Sequence, residues 1–472
     1  MSAFRKHMPR TTRLLVSVLF LYVFFWVKGW PRIYDEEELP ALKRPPQQGA
    51  PAGPHPVERD QLVVSVTTTA INVHSKVAPL ILNTADQDHG MLLLFSDLQA
   101  EIGKWPVFDV VWRLGTDVVM HTDELNRYRM QLDFGRRSIP LTDLKKKDPE
   151  EEKKDMMVLD KYKILQTMSA AWEYRPDRPW YIFIDDETYV NRPNLLEFLS
   201  EHDPDASHYF ANPPIAATTL VPDPFAPSGT AFILSRKVMK DLLVVRKDTL
   251  KKWAKRIRDH TSAFDLVSSV LQEELNVAFT PVWPAISGYD PSTIPFHPTL
   301  WCEQVLIMHH VSPGMGNDLY KMEREQAHHK PLRFADLWDR FFTAENLNYT
   351  RNDWDNLSSE SSNARWNVLF ENSESKEDRA PPGEESPEAC EKSCEASKYC
   401  VQWSYSSIPQ TNWNENPNTK CHLSSSIRFG AHVKPKQLAG TGEKQSLSWK
   451  SGWKKARFHS WARRQRCNQH LR

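Results

Sequence analysis

The 472-residue sequence predicts an α/β domain built on a mostly parallel sheet. Three observations carry that expectation. Short apolar runs of buried-strand length recur between residues 62 and 234, helical patterns separate them, and one of the runs leads straight into three adjacent acids. An N-terminal apolar segment and a C-terminal cysteine cluster flank this domain.

The N-terminal segment comes first. Leu14 to Val27 is apolar apart from Ser17 and Tyr22, with Trp26 and Trp30 where an interfacial belt would lie. It is short for a span, which wants about 20 residues, and a cleaved signal peptide has a similar length. However, Val27-Lys28-Gly29-Trp30-Pro31 follows it without a small-x-small cleavage site. Arg5, Lys6, Arg10 and Arg13 precede it, and the acids Asp35 to Glu38 follow. The positive-inside bias then predicts a cytosolic tail (1–13), a transmembrane signal anchor (14–30) and a lumenal remainder. That arrangement is a single-pass type II protein of the Golgi or ER membrane. Residues 31–60, rich in Pro, Gln and charge, read as a stem.

Lys plus Arg and Asp plus Glu each number 60, for a formal net charge of zero. Such a balance argues against nucleic acid, whose phosphates need a basic surface.

The strand candidates are Val63 to Thr67, Met91 to Phe95, Val107 to Val111, Trp180 to Ile184 and Ala231 to Leu234. Val158, Tyr162, Leu165, Met168 and Trp172 recur at steps of four, three, three and four, one face of a helix. The charge run Lys145 to Asp155 is expected as a loop. In open parallel sheets ligands bind at the carboxyl ends of strands, and Trp180-Tyr-Ile-Phe-Ile-Asp185-Asp186-Glu187 places its acids there. Three like charges at an apolar strand end repel one another and lose hydration, which a cation relieves. Alternation along an extended backbone points Asp185 and Glu187 the same way, with Asp186 turned towards a donor such as a ribose hydroxyl. Oxygen ligands of this kind suit Mn²⁺ or Mg²⁺, which bridge diphosphate oxygens. The plainer alternative is a solvated acidic turn.

At this point the chain resembles a known family. Leu159-Asp-Lys161-Tyr-Lys163-Ile-Leu, Trp180 to Val190 and Asn194-Leu-Leu-Glu-Phe-Leu199 are similar to the Fringe-like β-1,3-glycosyltransferases of glycosyltransferase family 31, which include the core 1 galactosyltransferases. Ser96-Asp97, Pro227 to Ala231 with Leu234-Ser235-Arg236, Phe264-Asp265-Leu266, Phe296-His297-Pro298 and Met308-His309-His310-Val311 follow in the family's order. The resemblance covers about residues 62 to 330 and implies a GT-A-type, Rossmann-like nucleotide-sugar domain over 61–345. It implies Asp185, Glu187 and His309 as metal ligands, Asp186, Asp97 and Lys163 as donor-binding residues, and Asp265 as the general base. It also implies a divalent cation, Mn²⁺ above all, and a UDP-sugar donor. The reaction would be inverting transfer of a galactose- or N-acetylglucosamine-class hexose to a glycan or glycoprotein hydroxyl, through a β-1,3 linkage. Asp265 has a bland alternative as a helix cap before Leu266, Val267, Val270 and Leu271.

The chain departs from the family pattern at Glu187, where the third acid is one methylene longer. It departs again at Gly229-Thr230, in place of a Gly-Gly pair, and at Phe264, in place of an acid. Two readings compete with the transferase. One is a catalytically inactive lumenal homologue that binds glycans or proteins; the other is a glycoside hydrolase pairing Asp185 or Asp186 with Asp265.

Residues 346–387 are polar and read as a linker, followed by a cysteine-rich module over 388–472. Cys390, Cys394, Cys400, Cys421 and Cys467 cluster there, with Cys302 upstream. They read as a disulfide framework of open connectivity. The pattern Cys390-x3-Cys394-x5-Cys400-Val-Gln-Trp-Ser-Tyr and Cys421-His-Leu resembles a PAN/apple-type module, which implies a small α+β domain and, by resemblance, a filamentous-fungal type of transferase. Asn348 and Asn356 stand in glycosylation sequons.

Overall fold

The structure, a computed structural model, describes residues 54–212, 231–296, 300–325, 330–342, 350–358, 383–397, 400–408, 418–433, 436–437, 446–463 and 467. β1 (Leu62–Thr67) leads through a π-helical turn over Val73–Val77 into α1 (Ala78–Asn83). β2 (Leu92–Ser96), β3 (Ala100–Ile102) and β4 (Trp105–Asp109) follow, and then the long α2 (Pro149–Tyr174). Next come β5 (Trp180–Asp185), β6 (Tyr189–Val190), α3 (Arg192–Ser200), β7 (Tyr209–Ala211) and β8 (Phe232–Ser235). α4 (Ala263–Leu275), β9 (Thr280–Pro281), β10 (Ile286–Ser287), β11 (Ile307–Met308), α5 (Pro313–Glu325) and α6 (Phe334–Phe341) complete this part.

An eight-stranded sheet has the order β3-β4-β2-β1-β5-β8-β7-β9. Its centre is parallel: β1 pairs with β2 and β5 in that sense, and β2 with β4. The remaining pairs are antiparallel at β3–β4, β5–β8 and β7–β8, and parallel at β7–β9. The expected mostly parallel α/β sheet is thus found as a mixed sheet whose centre is parallel. Both of its faces are covered, which is why its central strands are apolar almost throughout, with Ser65 of β1 a buried exception. Val63, Tyr181 and Phe183 pack on the face that carries Tyr162, Leu165 and Met168 of α2. Val64, Val66, Ile182 and Ile184 enter the opposite core with Val73, Val77 and Ile81. The helical face read from spacing is real, with Val158 and Trp172 at its half-buried ends. The charge run expected as a loop differs: from Pro149 onward it is the first turns of α2.

A smaller sheet of order β10-β11-β6 stands beside the large one, with β11 parallel to β10 and antiparallel to β6. Asn194 at the start of α3 holds this region together. Its amide donates to the carbonyls of Val305 (2.9 Å) and Leu332 (2.8 Å).

The C-terminal part contains β12 (Thr350–Asn352), β13 (Trp354–Asp355), α7 (Pro387–Ala396), β14 (Gln402–Ile408), β15 (Asn418–Ser424), β16 (Ala431–His432), β17 (Lys436–Gln437), β18 (Ser446–Trp453) and α8 (Lys455–Ala462). β18 lies between β12 and β14, so Thr350–Asn352, in a stretch the sequence assigns to a linker, belongs to this sheet, while β13 pairs separately with β16. Cys390–Cys421 and Cys394–Cys400 are disulfides within the module, and Cys302–Cys467 joins it to the preceding domain. Ile427, Trp453 and Phe458 share one core with Phe296, Trp301, Trp338 and Met308. Trp403 and Trp453 are interior residues rather than a binding face.

Four sequence expectations need correction or fall outside the described residues. The expected anchor at 14–30 lies outside them, and among the described residues no helix is long and apolar enough to cross a membrane. The single-pass Golgi or ER membrane assignment is accordingly not supported. Asn348 and the Pro227–Thr230 loop also lie outside the described residues. Asn356 is wholly buried, with its amide donating to the carbonyls of Trp403 and Gly452 and its Oδ1 accepting from Ser358. An amide so engaged has no room for a glycan.

Candidate active site

The site forms where the carboxyl end of β5 meets the turn after β11. β5 is held between β1 and β8, so the apolar run fixes where its acids emerge. The turn after β11 is tied to the same place by the Val311 amide, which donates to the Glu187 carbonyl (2.8 Å), and by the His309 amide, which donates to Ser287 (3.0 Å). His310 adopts a left-handed conformation (φ 59°), which lets two consecutive imidazoles turn towards the acids. Their ring centroids are 4.0 Å apart.

Glu187, His309 and His310 each offer one ligand atom, and these atoms all lie within 4.8 Å of one another. Glu187 Oε2 is 3.6 Å from His310 Nδ1. Asp185 has a different place from the one expected. Its Oδ2 contacts His309 Nε2, while its Oδ1 accepts from the Thr188 hydroxyl (2.6 Å) and the Glu187 amide (3.1 Å). His309 is buried, and its Nδ1 has no hydrogen-bond partner among the described residues. A carboxylate on one ring nitrogen, with the other buried and unpartnered, is how a protein orients an imidazole towards a metal.

Asp186 accepts from the Thr68 hydroxyl and lies 3.8 Å from the Lys76 ammonium, which itself sits 2.6 Å from Glu187 Oε1. Asp186, Lys76, Thr188, Arg192 and Tyr320 line an open cleft. Thus the expected residues Asp185, Asp186, Glu187 and His309 come together. His310 and Lys76 join them. The His-His pair is visible in the sequence, whereas nothing local marks Lys76.

The charges at this cluster are unevenly shared. Burial opposes ionisation of Asp185, but the His309 charge and hydrogen bond, aided by Thr188 and the Glu187 amide, hold it well below the carboxylate range. Burial lowers the His309 pKa, yet Asp185, Glu187 and Asp186 outweigh it and the net shift is upward. Burial and the neighbouring Asp185 charge push Asp186 up to about 6 against Lys76 and Thr68. The His310 hydrogen bond, then Lys76, overcomes burial to bring Glu187 down to about 2. Neighbouring carboxylates with pKa values driven apart mark functional sites more often than random surface does.

Two further expected residues lie beneath this cluster. Asp97, fully buried at the end of β2, accepts from the Ala70 amide and the Ser96 hydroxyl, and its Oδ2 accepts no hydrogen bond among the described residues. Lys163 is also fully buried, donating to the Thr68 carbonyl (2.7 Å) and paired with Asp160 (2.7 Å). Contact between the Lys163 ammonium and a donor is therefore corrected: it supports the loop after β1 from below.

Asp265 stands apart from the cluster. It lies in the first turn of α4, whose N-cap Ser262 accepts its amide, and its carboxylate accepts from the Thr261 amide (2.9 Å) and faces His260 (3.3 Å). Its side chain is 43% exposed, and the partners of its carboxylate are His260 and Thr261 of the loop before α4. Lys161 donates to the His260 carbonyl (3.0 Å) and so links the loop before α4 to α2.

These observations, with the family match that follows, support an enzyme of the glycosyltransferase class. Residues 145–284, which span α2, β5 and α4, match the family described as Fringe-like. No curated protein matches the chain. Among solved structures, one similar chain is a glycosyltransferase involved in the glycosylation of the major capsid of PBCV-1, at 11% identity. The likeness covers 55% of this chain and 99% of that one, with a TM-score of 0.24, and carries no weight for fold or function.

Proposed function

We propose that this chain is an inverting, divalent-cation-dependent hexosyltransferase. It moves a galactose- or N-acetylglucosamine-class sugar from a UDP-sugar to the hydroxyl of a glycan or glycoprotein, through a β-1,3 linkage. The observation that carries the reading is the convergence of Glu187, His309 and His310 beside Asp185 at the carboxyl end of a parallel strand. Glu187, His309 and His310 would hold the cation, and Asp185 would keep the His309 ring turned towards it. Two imidazoles in the set favour Mn²⁺ over Mg²⁺, which demands an oxygen octahedron. When bound, the cation supplies positive charge opposite the departing diphosphate.

The other roles fall to this chain's own side chains. Asp186, anchored by Thr68, would accept a hydrogen bond from the donor's ribose, and Asp97 with Lys163 would stiffen the loop after β1. Asp265 would take the proton from the acceptor hydroxyl. Its exposure and its fixed carboxylate suit that task, which typically contributes about 10²–10⁴-fold in rate. The α7 helix against β14 and β15, with Cys390–Cys421 and Cys394–Cys400, supports a PAN/apple-like module at the C-terminus.

A screen of UDP-sugars with Mn²⁺, reading UDP release with and without acceptor sugars, tests the proposal. Cation-dependent release that EDTA abolishes is the expected result. UDP-sugar binding without turnover would identify an inactive binder, and glycosidic cleavage insensitive to EDTA would identify a hydrolase.

A further inference from the structure

Lys76 enters the acidic cluster from the π-helical turn between β1 and α1. Its ammonium is 2.6 Å from Glu187 Oε1 and 3.8 Å from Asp186 Oδ1. Glu187 Oε2 faces His310, so this carboxylate is divided between an internal cation and a second member of the three-residue set. The lysine side chain is 27% exposed and borders the open cleft, so the ammonium can swing towards solvent. Its stem is a flexible four-carbon chain, and a rotamer change moves the charge without moving the backbone. A divalent ion on Glu187 and a lysine on the same group cannot both keep their best geometry, and the two positive charges repel.

We propose that Lys76 is a tethered competitor of the divalent ion at Glu187, exchanging with it at that carboxylate, and that a nucleotide diphosphate favours the exchange by accepting the displaced ammonium. The inference rests on the metal reading of the site. It makes ion binding and nucleotide binding mutually reinforcing, because each removes the lysine from the position the other disfavours. A lysine that only braces the fold would leave ion affinity unchanged when replaced.

The test is a Mn²⁺ titration of the full chain, read by the electron-spin signal of free Mn²⁺, with and without UDP, for wild type, Lys76→Met and Lys76→Arg. Thermal melting checks the fold, and Lys76→Gln replaces the methionine variant if that one does not fold. Without UDP, Lys76→Met should bind Mn²⁺ about 3- to 10-fold more tightly than wild type, the scale of a half-exposed ion pair together with a relieved repulsion. Lys76→Arg should remain within about twofold, because it keeps the charge. UDP should tighten Mn²⁺ binding more in wild type than in Lys76→Met. Equal or weaker Mn²⁺ binding by the folded methionine variant, or an equal UDP effect in both, overturns the inference and leaves the metal reading standing. Absence of Mn²⁺ binding in every folded variant, wild type included, overturns both.

Discussion

Asp185→Asn separates a residue that grips an ion from one that aims a ligand. Asp185 uses Oδ2 on His309 Nε2 and commits Oδ1 to Thr188 and the Glu187 amide, while the three-residue set comprises Glu187, His309 and His310. Asparagine keeps the shape and one acceptor oxygen but removes the charge that polarises the imidazole. Carboxylates placed behind a ligating histidine are worth about 10–100-fold in metal affinity, or about 1.4–2.7 kcal/mol. Direct attraction gives a compatible ceiling, since two unit charges 4 Å apart interact by about 4 kcal/mol at an effective dielectric of 20. The assay is Mn²⁺ titration of wild type, Asp185→Asn and Glu187→Gln, with melting curves recorded in EDTA. The expected order is a 10–100-fold loss for Asp185→Asn and a larger loss for Glu187→Gln. Equal losses would mean that Asp185 is itself a ligand, as the Asp-x-Glu spacing suggests. An unchanged affinity in Asp185→Asn would refute the coupling between Asp185 and the ion altogether.

Other consequences can be measured on the same protein. Asp265→Asn should lower sugar transfer by about 10²–10⁴-fold while Mn²⁺ and UDP affinity hold; a loss below about tenfold would return Asp265 to a helix-start role. In EDTA, the raised His309 pKa contributes stability that is complete below its ordinary value of 6.5 and fades as pH rises through the folded value. The depressed Asp185 pKa contributes stability present above its ordinary 3.8 and lost as pH falls. The melting difference between wild type and His309→Gln should therefore peak between about pH 4 and 6.5 and shrink on either side; a difference independent of pH would refute the pairing. Cys467→Ser opens a bridge across 165 residues and should cost about 2–4 kcal/mol in denaturant unfolding. Asn356→Ala strips donors from two buried carbonyls and should destabilise by about 2 kcal/mol, and peptide mapping should find Asn356 unglycosylated.

The central sheet was readable because its strands are buried on both faces, which leaves apolar runs such as Leu92 to Phe95 and Trp180 to Ile184. The acids at the end of β5 were readable for the same reason, since charge stands out where an apolar run stops. Lys76 was not readable: one basic residue in a polar turn carries no local signal, and its role follows from a contact 111 positions away. Lys163 misled in the opposite direction. The family resemblance assigns it to donor binding, yet it is buried, with Asp160 and the Thr68 carbonyl satisfying it. The extent of the C-terminal module was hidden as well. The strand Thr350–Asn352 is three polar residues long and takes its place only by pairing with β18, a hundred residues later.

That shared sheet bears on the site. The histidine pair follows β11, whose Met308 packs in the same core as Phe296, Trp338, Ile427, Trp453 and Phe458. Phe296 and Ile427 also exchange backbone hydrogen bonds, and Cys302–Cys467 closes the same region covalently. The C-terminal module thus supplies part of the floor beneath His309 and His310, in addition to any binding surface of its own. An interior is close-packed and transmits displacement, so damage to this floor should reach the imidazoles before it reaches Asp185 and Glu187, which hang from the large sheet. Trp453→Ala tests that order, since it empties a fully buried ring site and removes a hydrogen bond to the Arg428 carbonyl. It should weaken Mn²⁺ binding under conditions where the large sheet still melts cooperatively. Loss of both in a single step would show that the two regions stand or fall as one unit.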